Sequence, residues 1–116
     1  MLYLSALLLT LAIEAPIVAY GLARWYRVRT ALGIVLGLVA SLVTHPVVWF
    51  VLPPLLVPWV GIFGYLLGAE AFAWLVEAAV FWLALRRDWP GLLLVSLCAN
   101  LASFTVGAVL QMLGVW

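Results

Sequence analysis

The sequence predicts an all-α integral membrane protein, folded as an antiparallel bundle of four transmembrane helices. Of the 116 residues, 70% are apolar and only 8% are charged, whereas soluble domains carry charge on about a quarter of their residues. The apolar residues also run in four long stretches. A spanning helix needs about 20 apolar residues, so four helices with short connections use the whole chain. A single transmembrane domain over residues 1–116 is therefore predicted.

Uninterrupted hydropathy places the helices at about residues 2–22, 30–52, 60–85 and 91–113. The first stretch begins MLYLSALLLT and lacks the basic region and the small-residue cleavage site of a secretory signal. It is predicted to be a retained helix. The segment PPLLVPWV, between the second and third stretches, is predicted to be a loop.

All five arginines lie in two connections, ARWYRVR and RRDWP, and the chain contains no lysine. Positively charged connections stay on the cytoplasmic side of a membrane. Both arginine turns are therefore predicted to face the cytoplasm, which leaves the middle loop and both termini outside. The predicted location is a bacterial-type inner membrane, with N-out and C-out topology.

The two predicted hairpins resemble each other. IEAPIVAYGLAR in the first matches VEAAVFWLALRR in the second, and LVASLVTH matches LCANLASF, which pairs Glu14 with Glu77. Two hairpins of the same orientation would be related by a pseudo-twofold axis along the membrane normal. Because sequences rich in Leu, Ala and Val match easily by chance, the duplication is a hypothesis.

Distance from the arginines predicts depth in the membrane. Glu14 precedes Arg24 by ten residues, and Glu77 precedes Arg87 by ten. At about 1.5 Å per helical residue both carboxyl groups lie about 15 Å in, near the middle of a hydrocarbon core about 30 Å thick. Two carboxylates in one layer repel each other, so this pair is expected to hold a proton unless a cation neutralises it.

The same count gives His45 and Glu70 a shared layer in the outer half of the membrane. His45 follows Arg29 by sixteen residues, about 24 Å along a helix, and Glu70 precedes Arg87 by seventeen, about 25 Å. These two side chains are expected to form an ion pair, to share a hydrogen bond, or to bind a divalent metal ion such as zinc, iron or manganese. Axial ligation of a haem or chlorin by the lone imidazole is a further alternative.

Each predicted helix offers one polar stripe, and the natural assembly turns all four inward. The candidate ion- or metal-binding residues are Glu14, His45, Glu70, Glu77 and Asn100. The supporting polar residues are Ser41, Thr44 and Ser103. An ionisable side chain in the middle of a membrane is costly and usually functional or paired.

The leading functional hypothesis is a membrane protein whose interior binds a proton or a metal cation, with a possible path along the column from His45 and Glu70 to Glu14 and Glu77. Four short helices are few for a transporter, so a homo-oligomer or a larger membrane-protein complex is expected as the working unit. Two alternatives stay open, namely an accessory or assembly subunit with a purely structural polar core, and an intramembrane metalloenzyme that uses Glu as general base. Five arginines divided between two turns make no nucleic-acid patch, so the lipid bilayer is the expected partner.

Overall fold

The structure is a computed structural model that describes residues 3–115, and within that range the chain forms helices joined by short connections and no strands. Helix α1 spans Tyr3–Tyr26, α2 spans Thr30–Pro46, a π-helical segment spans Val47–Val51, α3 spans Leu52–Leu85 and α4 spans Trp89–Met112. The all-helical prediction is confirmed. Three continuous helical stretches, Tyr3–Tyr26, Thr30–Leu85 and Trp89–Met112, are long and apolar enough to cross a membrane.

The helix ends differ from the predicted ones. The first helix runs on to Tyr26, and residue 2, where it was predicted to begin, lies outside the described residues. The predicted loop PPLLVPWV is helical. Pro53 and Pro54 stand in the first turn of α3, which is the part of a helix that tolerates proline best.

The direction of the chain changes at Gly61 instead. Its backbone angles are φ 76° and ψ 179°, a region that is open essentially to glycine alone. Beyond it the chain returns alongside α2, where the Tyr65 hydroxyl donates to the Val48 carbonyl at 2.7 Å and the Thr44 hydroxyl donates to Glu77 at 2.8 Å. Residues 62–85 therefore pack antiparallel against residues 30–60.

Gly61→Ala is expected to destabilise the fold by about 1–3 kcal/mol, because a Cβ makes the backbone conformation at the reversal costly. Thermal unfolding in detergent, followed by circular dichroism, measures this change. Gly107→Ala is the matched control, since Gly107 lies inside α4 and an added Cβ there meets nothing within 4 Å. Equal stability of the two variants would show that the reversal does not depend on Gly61.

The π-helical segment follows directly from Pro46. Proline has no N–H, so the i to i−4 hydrogen-bond ladder is broken at that point. A wider turn over Val47–Val51 follows the break, and π-helical turns of this kind are frequent at functional sites. The helix is therefore locally widened just beyond His45.

Close approach of α1 and α2 depends on small residues. A Cβ at Gly33 would lie 2.8 Å from the Ala19 Cα, and a Cβ at Gly37 would lie 3.0 Å from the Ala15 Cα. Gly33 and Gly37 are four residues apart, so they lie on the same face of α2 as Ser41. They let the two backbones pack in near contact, which brings the polar side chains further along both helices within reach of each other.

Towards the arginine turns the interior is apolar. Four side chains with no exposed surface fill it, and we refer to them as the apolar plug: Val18, Leu22, Phe81 and Leu92. They belong to α1, α3 and α4 and follow Glu14 and Glu77 in the direction of the arginines. The plug separates the buried polar groups from the arginine turns.

Candidate functional site

Glu14 on α1 and Glu77 on α3 meet in the interior, and we call them the carboxyl pair. Each is only 2% exposed, and the two carboxyl groups lie within hydrogen-bonding reach of each other. The sequence places them at equal depth, and the structure brings them into contact.

Two serines hold the Glu14 carboxyl group. The Ser41 hydroxyl, on α2, donates to Glu14 Oε1 at 2.9 Å, and the Ser103 hydroxyl, on α4, donates to Oε2. Ser41 has no exposed surface, so its hydroxyl cannot turn to solvent instead. Both oxygens of Glu14 therefore accept a hydrogen bond from a neighbouring helix.

Glu77 is held in the same way. The Thr44 hydroxyl, on α2, donates to Glu77 Oε2 at 2.8 Å, and the Asn100 amide, on α4, donates to Oε1 at 3.2 Å. The Asn100 amide also donates to the Ser96 carbonyl at 2.9 Å, which fixes its orientation within α4. Donors on α2 and α4 thus hold both members of the carboxyl pair.

The contacts follow the predicted repeat. The alignment of LVASLVTH with LCANLASF pairs Ser41 with Asn100 and Thr44 with Ser103. Glu14 accepts a hydrogen bond from Ser41 of its own hairpin and one from Ser103 of the other hairpin. Glu77 accepts one from Asn100 of its own hairpin and one from Thr44 of the other. Exchanging the two hairpins therefore maps the network onto itself, as a pseudo-twofold axis between the glutamates requires.

No cationic side chain among residues 3–115 contacts the carboxyl pair, and the five arginines lie beyond the apolar plug. Two ionised carboxylates in contact inside an apolar interior would repel strongly. Four neutral donors can stabilise one negative charge on the pair. A proton between the two carboxyl groups would remove the second charge and would supply a hydrogen bond between them.

The hydroxyl donors have alternative acceptors. The Thr44 oxygen also lies 3.1 Å from the Ala40 carbonyl, and the Ser103 oxygen lies 3.1 Å from the Asn100 carbonyl. A hydroxyl has one hydrogen, so it can point either to the carboxylate or to the backbone. The network can therefore be satisfied when a glutamate is ionised and also when it is protonated.

A cavity of about 350 Å³ leads away from the carboxyl pair, on the side opposite the apolar plug. All the helices contribute to its wall, and its volume admits several water molecules. The polar lining residues beyond the pair and its donors are Thr10, His45, Tyr65, Glu70 and Gln111. Along each helix the lining residues run from the carboxyl pair towards the end remote from the arginines.

His45 and Glu70 both line this cavity. Among the described residues no hydrogen bond or ion pair joins them, and His45 Nε2 is buried without a hydrogen-bond partner. The imidazole ring instead packs with Tyr3 and Trp49, at ring-centroid distances of 5.2 and 5.9 Å. The two side chains therefore face a common space without holding each other.

A metal centre receives no support from the geometry. Within residues 3–115, no three side chains of His, Cys, Asp or Glu are grouped so that they could hold a metal ion. The metal-ligand prediction for His45 and Glu70 thus gains nothing from the structure.

Tyr65 belongs to the site although the sequence did not single it out. Its hydroxyl donates to the Val48 carbonyl at 2.7 Å, inside the π-helical segment, and the side chain lines the cavity. A tyrosine inside an apolar stretch needs a partner for its hydroxyl, which is the signal that points to it. The sequence does not predict that this partner is the Val48 carbonyl, because only the chain reversal at Gly61 brings Tyr65 next to Val48.

Comparison of the chain with protein-family models, with curated proteins and with solved structures finds no match.

Proposed function

We propose that the chain is an integral membrane protein whose long middle stretch crosses the bilayer twice, which gives four antiparallel transmembrane segments. Support comes from the apolar length of Thr30–Leu85 and from the reversal at Gly61 within it. The arginine turns would lie together on the cytoplasmic side, with both termini outside.

Its proposed activity is to bind one proton at the carboxyl pair. The observation that carries this proposal is the convergence of four neutral donors, two from each hairpin, on two carboxyl groups in contact. Such a set stabilises one negative charge and one proton. Glutamine would make comparable hydrogen bonds at a smaller insertion cost, so two carboxyl groups favour a role that needs titration.

The cavity provides the proposed access route. Water entering past Gln111 and Tyr65 would reach Glu70 and His45 and then the carboxyl pair. On the arginine side the apolar plug closes the path. The site is therefore open to one side only, and passing the proton across the membrane would need the plug to part, in a homo-oligomer or in a larger membrane complex.

Infrared spectroscopy of the protein in lipid vesicles tests the proposal. A C=O stretching band of a protonated carboxyl group is expected at neutral pH, and it should shift on transfer to D₂O because the cavity admits water. Glu70→Gln is the control, since it removes a carboxyl group from the cavity wall but leaves the carboxyl pair. A Glu70→Gln protein without this band would contradict proton binding by the pair.

Access from one side gives a second prediction. Thr10→Cys, in a Cys98→Ser background, is expected to react with a charged, membrane-impermeant thiol reagent added on the side of the termini, because Thr10 lines the cavity. Val18→Cys in the same background is the control, since Val18 has no exposed surface inside the apolar plug. Reaction of Thr10→Cys only from the arginine side would contradict the proposal that the cavity opens towards the side of the termini.

The second candidate is an accessory subunit of a larger membrane assembly, with the polar network acting as interhelical glue. The observation that favours it is that each carboxyl oxygen of the pair already has a donor, as a purely structural network requires. In that case Glu14→Gln and Glu77→Gln would leave growth and ion flux unchanged while the bundle stays folded. The tagged protein would also co-purify with a fixed set of larger subunits.

A further inference from the structure

A second concave region lies between α1 and α4, on the outer surface at the arginine end. Its volume is about 580 Å³, and neither member of the carboxyl pair lines it. The walls are mainly apolar and include Ile17, Tyr20 and Trp25 from α1 with Leu94 and Cys98 from α4. Tyr20, Trp25 and Leu94 are each more than 60% exposed. We call this region the α1/α4 groove.

The α1/α4 groove has the length of one leaflet. It extends along α4 from Asp88 to Cys98, ten residues or about 15 Å of helix. Half of a hydrocarbon core about 30 Å thick is also about 15 Å. In the proposed orientation the groove therefore runs from the headgroup region to the bilayer centre.

A cation lies beside the mouth of the groove, although the charged residue in its lining is Asp88. The Arg87 guanidinium lies 5.5 Å from the ring centre of Tyr26, which forms the mouth, and donates to the Tyr26 carbonyl. The one acidic side chain there, Asp88, accepts a hydrogen bond from the Tyr26 hydroxyl at 2.8 Å. The two turns together carry five arginines and one aspartate, so this end of the protein is positively charged and favours a negatively charged group.

We propose that the α1/α4 groove binds an anionic phospholipid, with one acyl chain in the groove and the phosphate beside Arg87. A flexible chain suits this space, whereas a helix from a second copy, about 10 Å across, is too wide to enter a groove of about 580 Å³ that is some 15 Å long. This inference depends on the proposed membrane insertion and not on proton binding by the carboxyl pair.

Cys98 gives a site-specific test because it is the only cysteine of the chain and is exposed at the inner end of the groove. The protein is labelled there with bimane and reconstituted in vesicles containing acyl-brominated phosphatidylglycerol or acyl-brominated phosphatidylcholine. Quenching is expected to favour phosphatidylglycerol by about fivefold, the effect of one arginine near a membrane surface. Arg87→Gln should bring the ratio close to one.

Arg86→Gln is the matched control. It removes the same charge from the same turn, but the Arg86 guanidinium stacks on Trp82 of α3, 4.7 Å from the ring centre. With Arg86→Gln, the preference for phosphatidylglycerol measured at Cys98 should therefore decrease by less than half of the decrease seen with Arg87→Gln. An equal loss in the two variants would mean general surface attraction and would overturn the site.

A second label position separates the remaining outcomes. Leu101→Cys in a Cys98→Ser background reports ordinary lipid contact, since Leu101 is 52% exposed and lies outside the groove. The same phosphatidylglycerol preference at both positions would overturn a specific site. Quenching at Leu101 alone would mean that another partner fills the groove, which also overturns it. Absence of quenching at both positions would refute membrane insertion itself.

Discussion

Replacing Glu77 with glutamine is expected to leave the helices folded and to remove the proton proposed for the carboxyl pair. The glutamine amide can donate to the remaining Glu14 carboxylate, in the place of the shared proton, and the charge of the pair stays the same. The infrared band of the protonated carboxyl group should therefore disappear at neutral pH, with little change in thermal unfolding. Glu14→Gln should behave alike, because the donors around the two glutamates occupy corresponding positions in the two hairpins.

Glu77→Ala provides the contrasting variant. Without an acceptor the Asn100 amide loses one of its partners, while the Thr44 hydroxyl can turn to the Ala40 carbonyl. An unsatisfied buried donor costs about 1–3 kcal/mol, so this variant should unfold at lower temperature than Glu77→Gln. Equal stability of the alanine and glutamine variants would contradict the assigned hydrogen bonds.

Gly33→Ala is expected to have the largest effect on the packing of α1 against α2. The added Cβ would lie 2.8 Å from a backbone atom, Ala19 Cα, which cannot rotate away as a side chain can. The helices must separate, at a cost of about 1–3 kcal/mol for overpacking. Separation would also draw the Ser41 hydroxyl away from Glu14, so the carboxyl site should be disturbed together with the fold.

Unfolding in detergent measures the first effect, and the infrared band measures the second. Gly107→Ala again serves as control, because both glycines are helical and the intrinsic helix preference changes equally in the two variants. Unfolding of Gly33→Ala at the same temperature as Gly107→Ala would show that the interface has room for the methyl group, which the distance excludes.

Much of the site follows from counting along the chain. Ten residues separate each glutamate from an arginine of the turns, and this simple regularity places Glu14 and Glu77 in one layer. The alignment of the hairpins further pairs Ser41 with Asn100. It does not show that each glutamate also accepts a hydrogen bond from the other hairpin. Such a contact between hairpins depends on which helices are neighbours, and in the structure α4 packs against both α1 and α3.

Other features depend on packing that no periodic pattern records. Hydropathy cannot distinguish a proline-rich loop from a helix that begins with Pro53 and Pro54, so the reversal at Gly61 was not predicted. The residue count along the helices predicts that His45 lies level with Glu70. It does not predict that the rings of Tyr3 and Trp49 pack against the imidazole. A role of His45 or Glu70 in proton binding stays a prediction.

The most direct test of the central claim is the number of protonated carboxyl groups per chain at neutral pH, measured in lipid vesicles from the calibrated area of the infrared band. The Glu70→Gln protein is the appropriate background, because the carboxyl pair then holds the only glutamates of the chain. We expect one protonated group, which is lost when Glu77→Gln is added. A count of zero or two, or a band that survives the second substitution, would contradict a proton shared between Glu14 and Glu77.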